Sequence, residues 1–194
     1  NLIWLKTMKK TLFIIPFLLF IQSEAYSESI LIKPKNVLDV RTGRLLNTDI
    51  LVQSGVIKKV SKNIPASKEY EIFELPETTI MPGLMDAHVH LTGNTDLKGN
   101  QGMSESSYLA AIYGVKNAKQ TLLAGFTTVR NVGAANYADV ALRDAIGQMA
   151  VMGPTLLVSG PPLGITGGHC DSNILPAEYQ YKSQGVADGP WEVR

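Results

Sequence analysis

Cysteine is almost missing from this chain, and Cys170 stands alone. No internal disulfide can form even in an oxidising compartment, so the fold must hold by packing. Charge of one sign is not in excess either. The formal net charge is +1, and its small positive excess comes from the extreme N-terminus. Leaving out residues 1–25 removes Lys6, Lys9, Lys10 and Glu24, so that 18 basic and 17 acidic residues become 15 and 16. A body so close to neutral has no electrostatic footprint for nucleic acid or for an anionic membrane surface. Low-complexity tracts and internal repeats are absent, which excludes a disordered chain and a solenoid. The Gly160-Pro-Pro-Leu-Gly164 run lacks the lysine and the spacing of a phosphate-binding P-loop.

What remains is an ordinary globular composition, 45% hydrophobic and 18% charged, sufficient for a packed core. At 194 residues the chain has room for one good-sized domain, or for a small one with part of a larger one. Residues 8–25 read as a secretory signal. Met8 is followed by Lys9 and Lys10, then by an apolar run from Leu12 to Ile21, then by Ser23-Glu24-Ala25 as a small-x-small cleavage site. The expected mature chain begins at Tyr26 and is periplasmic or secreted. A membrane anchor is the alternative, but the run is short of the roughly 20 residues a spanning helix needs. No stable span is therefore expected after cleavage. Residues 1–7 lie upstream of Met8, read here as the start.

From Ile30 to Ile80 the signals are short and strand-like. Ile30–Lys33, Asp49–Gln53, Val56–Val60, Glu71–Leu75 and Thr78–Ile80 suggest a small antiparallel β unit, with Ser54-Gly55 as a two-residue hairpin turn and Pro65 and Pro76 in connections. The texture changes after Met81-Pro82-Gly83. Tyr108, Ala111, Ile112, Val115, Ala118 and Leu122 follow helical spacing within Ser104–Ala124, with Ser104 placed as N-cap and Gly125 at the stop. Thr127–Arg130 reads as a strand, Ala138–Met149 as a helix and Thr155–Ser159 as a strand, the rhythm of a parallel α/β sheet.

His88-Val89-His90 is the feature that points to chemistry. Residues i and i+2 of a strand project to one face, so two imidazoles stand side by side where they can share a metal ion. On the spacing alone, a pair of solvent-facing strand histidines is the stronger reading. The context is Met81-Pro-Gly-Leu-Met-Asp-Ala-His-Val-His-Leu91, placed where the β unit gives way to βα units. It resembles the amidohydrolase superfamily signature, Pro-Gly, two hydrophobics and Asp-x-His-x-His, and the Gly55–Val60 hairpin is similar to that family's small β-sandwich. Ala124–Arg130, Ala141–Ile146, Gly153-Pro154 and Ile165–Asp171 look like the imidazolonepropionase-like branch that includes Xaa-Pro, Xaa-Arg and Xaa-Lys dipeptidases. Where that branch often has Arg-Asp, this chain has Arg130-Asn131.

The resemblance implies an α/β fold, the N-terminal part of a (β/α)8 barrel preceded by a small β-sandwich. The implied layout is residues 1–25 as upstream residues and signal, 26–81 as the sandwich, and 82–194 as the first three βα units. It also implies one or two divalent ions, zinc foremost, with His88 and His90 as the first ligands. A bound ion of that kind lowers the pKa of water to about 7 and polarises a carbonyl. The remaining ligands and the proton-shuttling aspartate are expected beyond Arg194, so residues 1–194 alone are expected to be inactive. Asp86, two residues before His88, is expected to support the site as a hydrogen-bond acceptor. Arg130 either binds a substrate carboxylate or pairs with Asp86 or another acid at the barrel mouth. His169 either contacts substrate or orders its own loop, and the glycines beside it permit close backbone approach to a ligand. Cys170 is expected to be a buried or loop thiol, since three consecutive residues cannot all point at one ion. The expected substrates are dipeptides or small amides. A cyclic-amide hydrolase, a metal-free scaffold and a truncated product stay open as alternatives, as does a homo-oligomer.

Overall fold

The computed structural model describes residues 29–172 and 175–194. Residues 8–25, read above as a secretory signal, lie outside the described residues. The chain divides into two compact units between Ile80 and Met81.

The first unit is built on β1 (Ser29–Asp39). One edge of β1 pairs antiparallel with β3 (Asp49–Gln53) and, farther along, with β2 (Arg44–Leu46). The opposite edge pairs with β5 (Tyr70–Ile80), and that pairing is parallel. β4 (Val56–Ser61) adds to β3 through the hairpin at Ser54-Gly55, whose φ values of 50° and 73° are both left-handed. That is a type I′ turn, whose twist matches the twist of the strands. The turn after β1 is set by Asp39, whose carboxylate accepts from the Thr42 hydroxyl and the Arg41 N–H. Leu31, Leu51 and Ile64 form the buried core with Tyr70 against it.

Two sequence expectations change here. The unit is not wholly antiparallel, and Pro76 lies inside β5 rather than in a connection. The β1–β5 register moves from Pro34 opposite Leu75 to Asn36 opposite Thr79, so Pro76 falls in the irregularity. A residue with no N–H is tolerated where the ladder is already interrupted. The described residues of this unit form one mixed five-stranded sheet.

The second unit alternates β6 (Leu84–Val89), α1 (Ser107–Leu123), β7 (Phe126–Asn131), α2 (Ala138–Gly147) and β8 (Thr155–Leu157), and ends in the short α3 (Pro190–Val193). The three strands are parallel in the order β6-β7-β8. Leu91, Ala118, Val129, Leu142 and Leu156 make one core drawn from every strand and helix of the βα units or the segment just after it. Each buried leucine contributes about 1.5–3 kcal/mol relative to exposure. α1 begins later than expected: the N-cap is Ser106, whose Oγ accepts from the Leu109 N–H, because Glu105 is extended and separates Ser104 from the helix. It stops at Gly125, with φ of +97°, whose N–H bonds back to the Leu122 carbonyl. Among the described residues no helix is long and apolar enough to cross a membrane.

Candidate metal and substrate site

The Pro82-Gly83 pair has a local reason to precede β6. A Cβ on residue 83 would lie 2.2 Å from the Thr127 side chain, so glycine lets the incoming chain pass against β7. The Leu84 N–H then bonds to the Gly125 carbonyl and starts the parallel ladder. The ladder is regular only briefly. Asp86 is opposite Val129 but Val89 is opposite Asn131, so β6 carries one extra residue at the level of Ala87-His88. Such a bulge twists a strand and re-aims its side chains. At the bulge the His88 N–H donates to Asp86 Oδ1 at 2.9 Å.

Past the bulge the two imidazoles stand together, with ring centroids 5.5 Å apart and planes at 73°. Both residues are exposed, and His90 lies one residue past the end of β6. They line a cavity of about 290 Å³ with Val132, Pro162, His169 and Cys170. All three histidines of the chain therefore face one space. A second cavity, about 460 Å³, adjoins His90 between Gly133–Asn136 and Tyr181–Gly185. The residues that line the first cavity come from the segments at or just past the C-terminal ends of β6, β7 and β8, the end at which parallel α/β sheets bind ligands.

The donor chemistry of His88 and His90 fits a borderline-soft divalent cation as part of a ligand set. Among the described residues no group of three or more histidines, cysteines, aspartates or glutamates is placed to hold one ion. His169 and Cys170 thus share the cavity without completing a cluster. The His169 ring makes no backbone hydrogen bond among the described residues, and its loop is ordered by other groups. Asp171 accepts from the N–H groups of Gly167, Ser172 and Ser183, while Asp188 accepts from the Thr166 hydroxyl and N–H. These bonds hold both carboxyls below the usual aspartate range, with the Gly167 N–H leading for Asp171 and the Thr166 hydroxyl for Asp188. Lys182 bridges Asp188 and Glu192, and the Glu192 bond raises its pKa. The glycines beside His169 serve this loop: Gly167 has φ of +72°, and a Cβ on Gly168 would meet the Ile165 carbonyl at 2.9 Å.

Arg130 is exposed and, among the described residues, forms no ion pair with Asp86, although both line a cavity of about 140 Å³ with Met85 and Leu157. Asp86 is turned instead to its own strand. Two polar residues to which sequence reasoning gave no role, Asn131 and Asp139, are buried. Asn131 Oδ1 accepts the Leu91 N–H at 2.7 Å, and Asn131 Nδ2 donates to the Gly133 carbonyl and to Asp139 Oδ2. Asp139 Oδ2 also accepts the Gly160 N–H. Neither residue has any accessible surface. The network joins the segments that follow all three strands of this unit, β6, β7 and β8. In the sequence, Asp139 reads as a first-turn acid of a helix, and nothing local marks it as buried.

The model of the amidohydrolase family matches residues 79–191. A Xaa-Pro dipeptidase with bound methionine in its active site superposes with a TM-score of 0.74 at 30% identity, over 85% of this chain and 42% of that one. A prolidase complexed with N-methylphosphonate-L-proline gives 0.64 at 27% identity, over 82% and 40%. The dihydroorotase of Bacillus cereus (strain G9842) is 49% identical over 49 residues, 25% of this chain and 11% of its own length. The chain thus spans well under half the length of the proteins it matches. With the family model covering more than half of its residues, the chain belongs to the amidohydrolase family.

Proposed function

We propose that the whole protein is an exported, metal-dependent hydrolase of amide bonds in dipeptides. The observation that carries the reading is the His88–His90 pair, side by side at the C-terminal end of β6 and facing a cavity shared with His169. The similarity to the Xaa-Pro dipeptidase and the prolidase supports a dipeptide over a larger substrate. In this reading the three βα units open a (β/α)8 barrel, the sheet before them belongs to a β-sandwich, and cleavage after Ala25 releases the chain to the periplasm or medium.

His88 and His90 would hold a divalent ion, zinc in our reading, which supplies Lewis-acid polarisation of a carbonyl when bound. The chain's own residues do the rest of what can be assigned here. His169 projects into the same cavity and can donate a hydrogen bond to a substrate carbonyl or carboxylate. Arg130, exposed and unpaired with Asp86, is available to a substrate carboxylate through its two-pronged guanidinium. Asp86 fixes the backbone at the bulge that aims His88. Residues 1–194 by themselves carry two ligands and, on this reading, turn over no dipeptide.

The test is metal analysis and dipeptide hydrolysis, Xaa-Pro substrates included, on the full-length protein and on His88→Ala and His90→Ala. Stoichiometric zinc with turnover in the parent, and loss of both in the variants, is expected. A parent that stays metal-free after reconstitution sinks the proposal. The dihydroorotase match favours a second reading, a cyclic-amide hydrolase. Turnover of dihydroorotate without turnover of any dipeptide would select it.

A further inference from the structure

We propose that Asn131 and Asn117 are positioning residues that clamp the peptide following the His-x-His pair and thereby set the imidazole geometry for metal. The inference rests on the metal-binding reading above. Leu91, next to His90, has both of its backbone polar groups taken by side-chain amides. Its N–H donates to Asn131 Oδ1 at 2.7 Å, and its carbonyl accepts from Asn117 Nδ2, also at 2.7 Å. Asn117 Nδ2 further donates to the Gly93 carbonyl at 3.1 Å. One clamp comes from the end of β7 and the other from the middle of α1, so the segment is gripped from two elements that are distant in sequence.

The need for a clamp follows from the bulge. β6 leaves its ladder register between Asp86 and Val89, and His90 lies beyond the last paired residue. The Val132 N–H still bonds the Val89 carbonyl at 3.1 Å, the last ladder bond before His90, and beyond it the two amides take over at Leu91. The amide at 131 has one orientation that satisfies every partner. Its oxygen meets a donor, while its nitrogen meets two acceptors, the Gly133 carbonyl at 3.0 Å and Asp139 Oδ2 at 3.2 Å. With the side chain fully buried, a flipped amide would set donor against donor and oxygen against oxygen with no water to relieve them. The Asn131 carboxamide is thus locked from behind while its oxygen holds Leu91. This gives Asn131 a role in geometry rather than in substrate contact.

The roles of the two ends of the carboxamide separate in experiment. In the full-length protein, zinc affinity is read by chelator competition, ligand geometry by the absorption spectrum of the cobalt-loaded form, and stability by thermal unfolding. Asn131→Ala and Asn117→Ala should weaken zinc by roughly 10–100-fold, as is typical when groups that orient metal ligands are lost, and alter the cobalt spectrum. Asn131→Asp keeps the acceptor for Leu91 but, when ionised, has no donor for Gly133 and sets a second buried carboxylate against Asp139. It should lower the melting temperature yet retain zinc affinity and the parental spectrum. Leu31→Ala, which removes core packing in the first unit and leaves the cluster around Leu91 intact, should behave like Asn131→Asp. If Asn131→Ala and Asn117→Ala bind zinc as the parent does while melting lower, the residues are only structural and the proposal falls. Should Asn131→Ala fail to fold, the half-buried Asn117→Ala decides by the same readings. A parent that binds no zinc overturns the metal reading itself, and that outcome is seen before any variant is compared.

Discussion

Replacing Asp139 removes the acceptor at the centre of the buried network, and the size of the effect can be worked from its partners. Oδ2 receives the Gly160 N–H at 3.1 Å and Asn131 Nδ2 at 3.2 Å, while Oδ1 receives the Val140 N–H at 2.9 Å. In Asp139→Ala the first two donors are left in a space that water does not reach. Each unsatisfied donor costs about 1–3 kcal/mol, so roughly 2–6 kcal/mol is expected in all. The Val140 N–H is only part-buried in the first turn of α2 and can recruit solvent. In Asp139→Asn the carboxamide oxygen can stay at the Oδ2 position and keep both buried donors, which leaves its nitrogen facing Val140. The loss is then about 1 kcal/mol, one ordinary hydrogen bond. Urea unfolding of the full-length protein followed by circular dichroism measures both differences. Equal destabilisation by asparagine and alanine, or a loss below about 1 kcal/mol in Asp139→Ala, would refute the assignment of two buried donors to one oxygen.

Truncating Leu156, 4% exposed in the core of the second unit, to alanine should cost about 2–5 kcal/mol in the same unfolding assay, and a smaller value would mean the site collapses around the gap. Ser106→Ala should cost about 1 kcal/mol by leaving the Leu109 N–H uncapped, whereas Ser104→Ala loses only an exposed bond to the Gln101 carbonyl and should cost less; a reversal of the two would return the cap to the earlier serine. The loop beside His169 should respond to acid. Asp171 and Asp188 are held below the ordinary aspartate value of 3.8, so they stabilise the folded loop above that pH, and the contribution is lost as pH falls through their lowered folded values. Amide resonances of Gly167, Ser183 and Thr166 should therefore titrate with midpoints below 3.8, and a midpoint at or above it would contradict the bonds assigned to these carboxylates.

Much of the local structure was readable from the chain alone, because it depends on neighbours in sequence. Apolar periodicity located α1, Ser54-Gly55 marked the hairpin, and the strand–helix alternation after Met81 gave the parallel order of β6, β7 and β8. The His88-Val89-His90 pair is a metal candidate only through its Met81–Leu91 context, since the spacing alone favours solvent-facing histidines. Competition between similar local signals was not readable: Ser104 and Ser106 both suit an N-cap, and only the extended backbone at Glu105 chose between them. Pairing partners were not readable either, so the parallel β1–β5 ladder and the interruption that admits Pro76 came from the tertiary structure. The same holds for the site. A period of two assumes an unbroken strand, but β6 is bulged at His88, and the peptide after His90 is held by Asn117 and Asn131 from elsewhere in the chain. Burial of Asn131 and Asp139 is a property of three strand ends meeting, which no stretch of sequence encodes locally. Residue type and spacing determined which groups could do chemistry; the convergence of distant backbone segments decided how they are aimed.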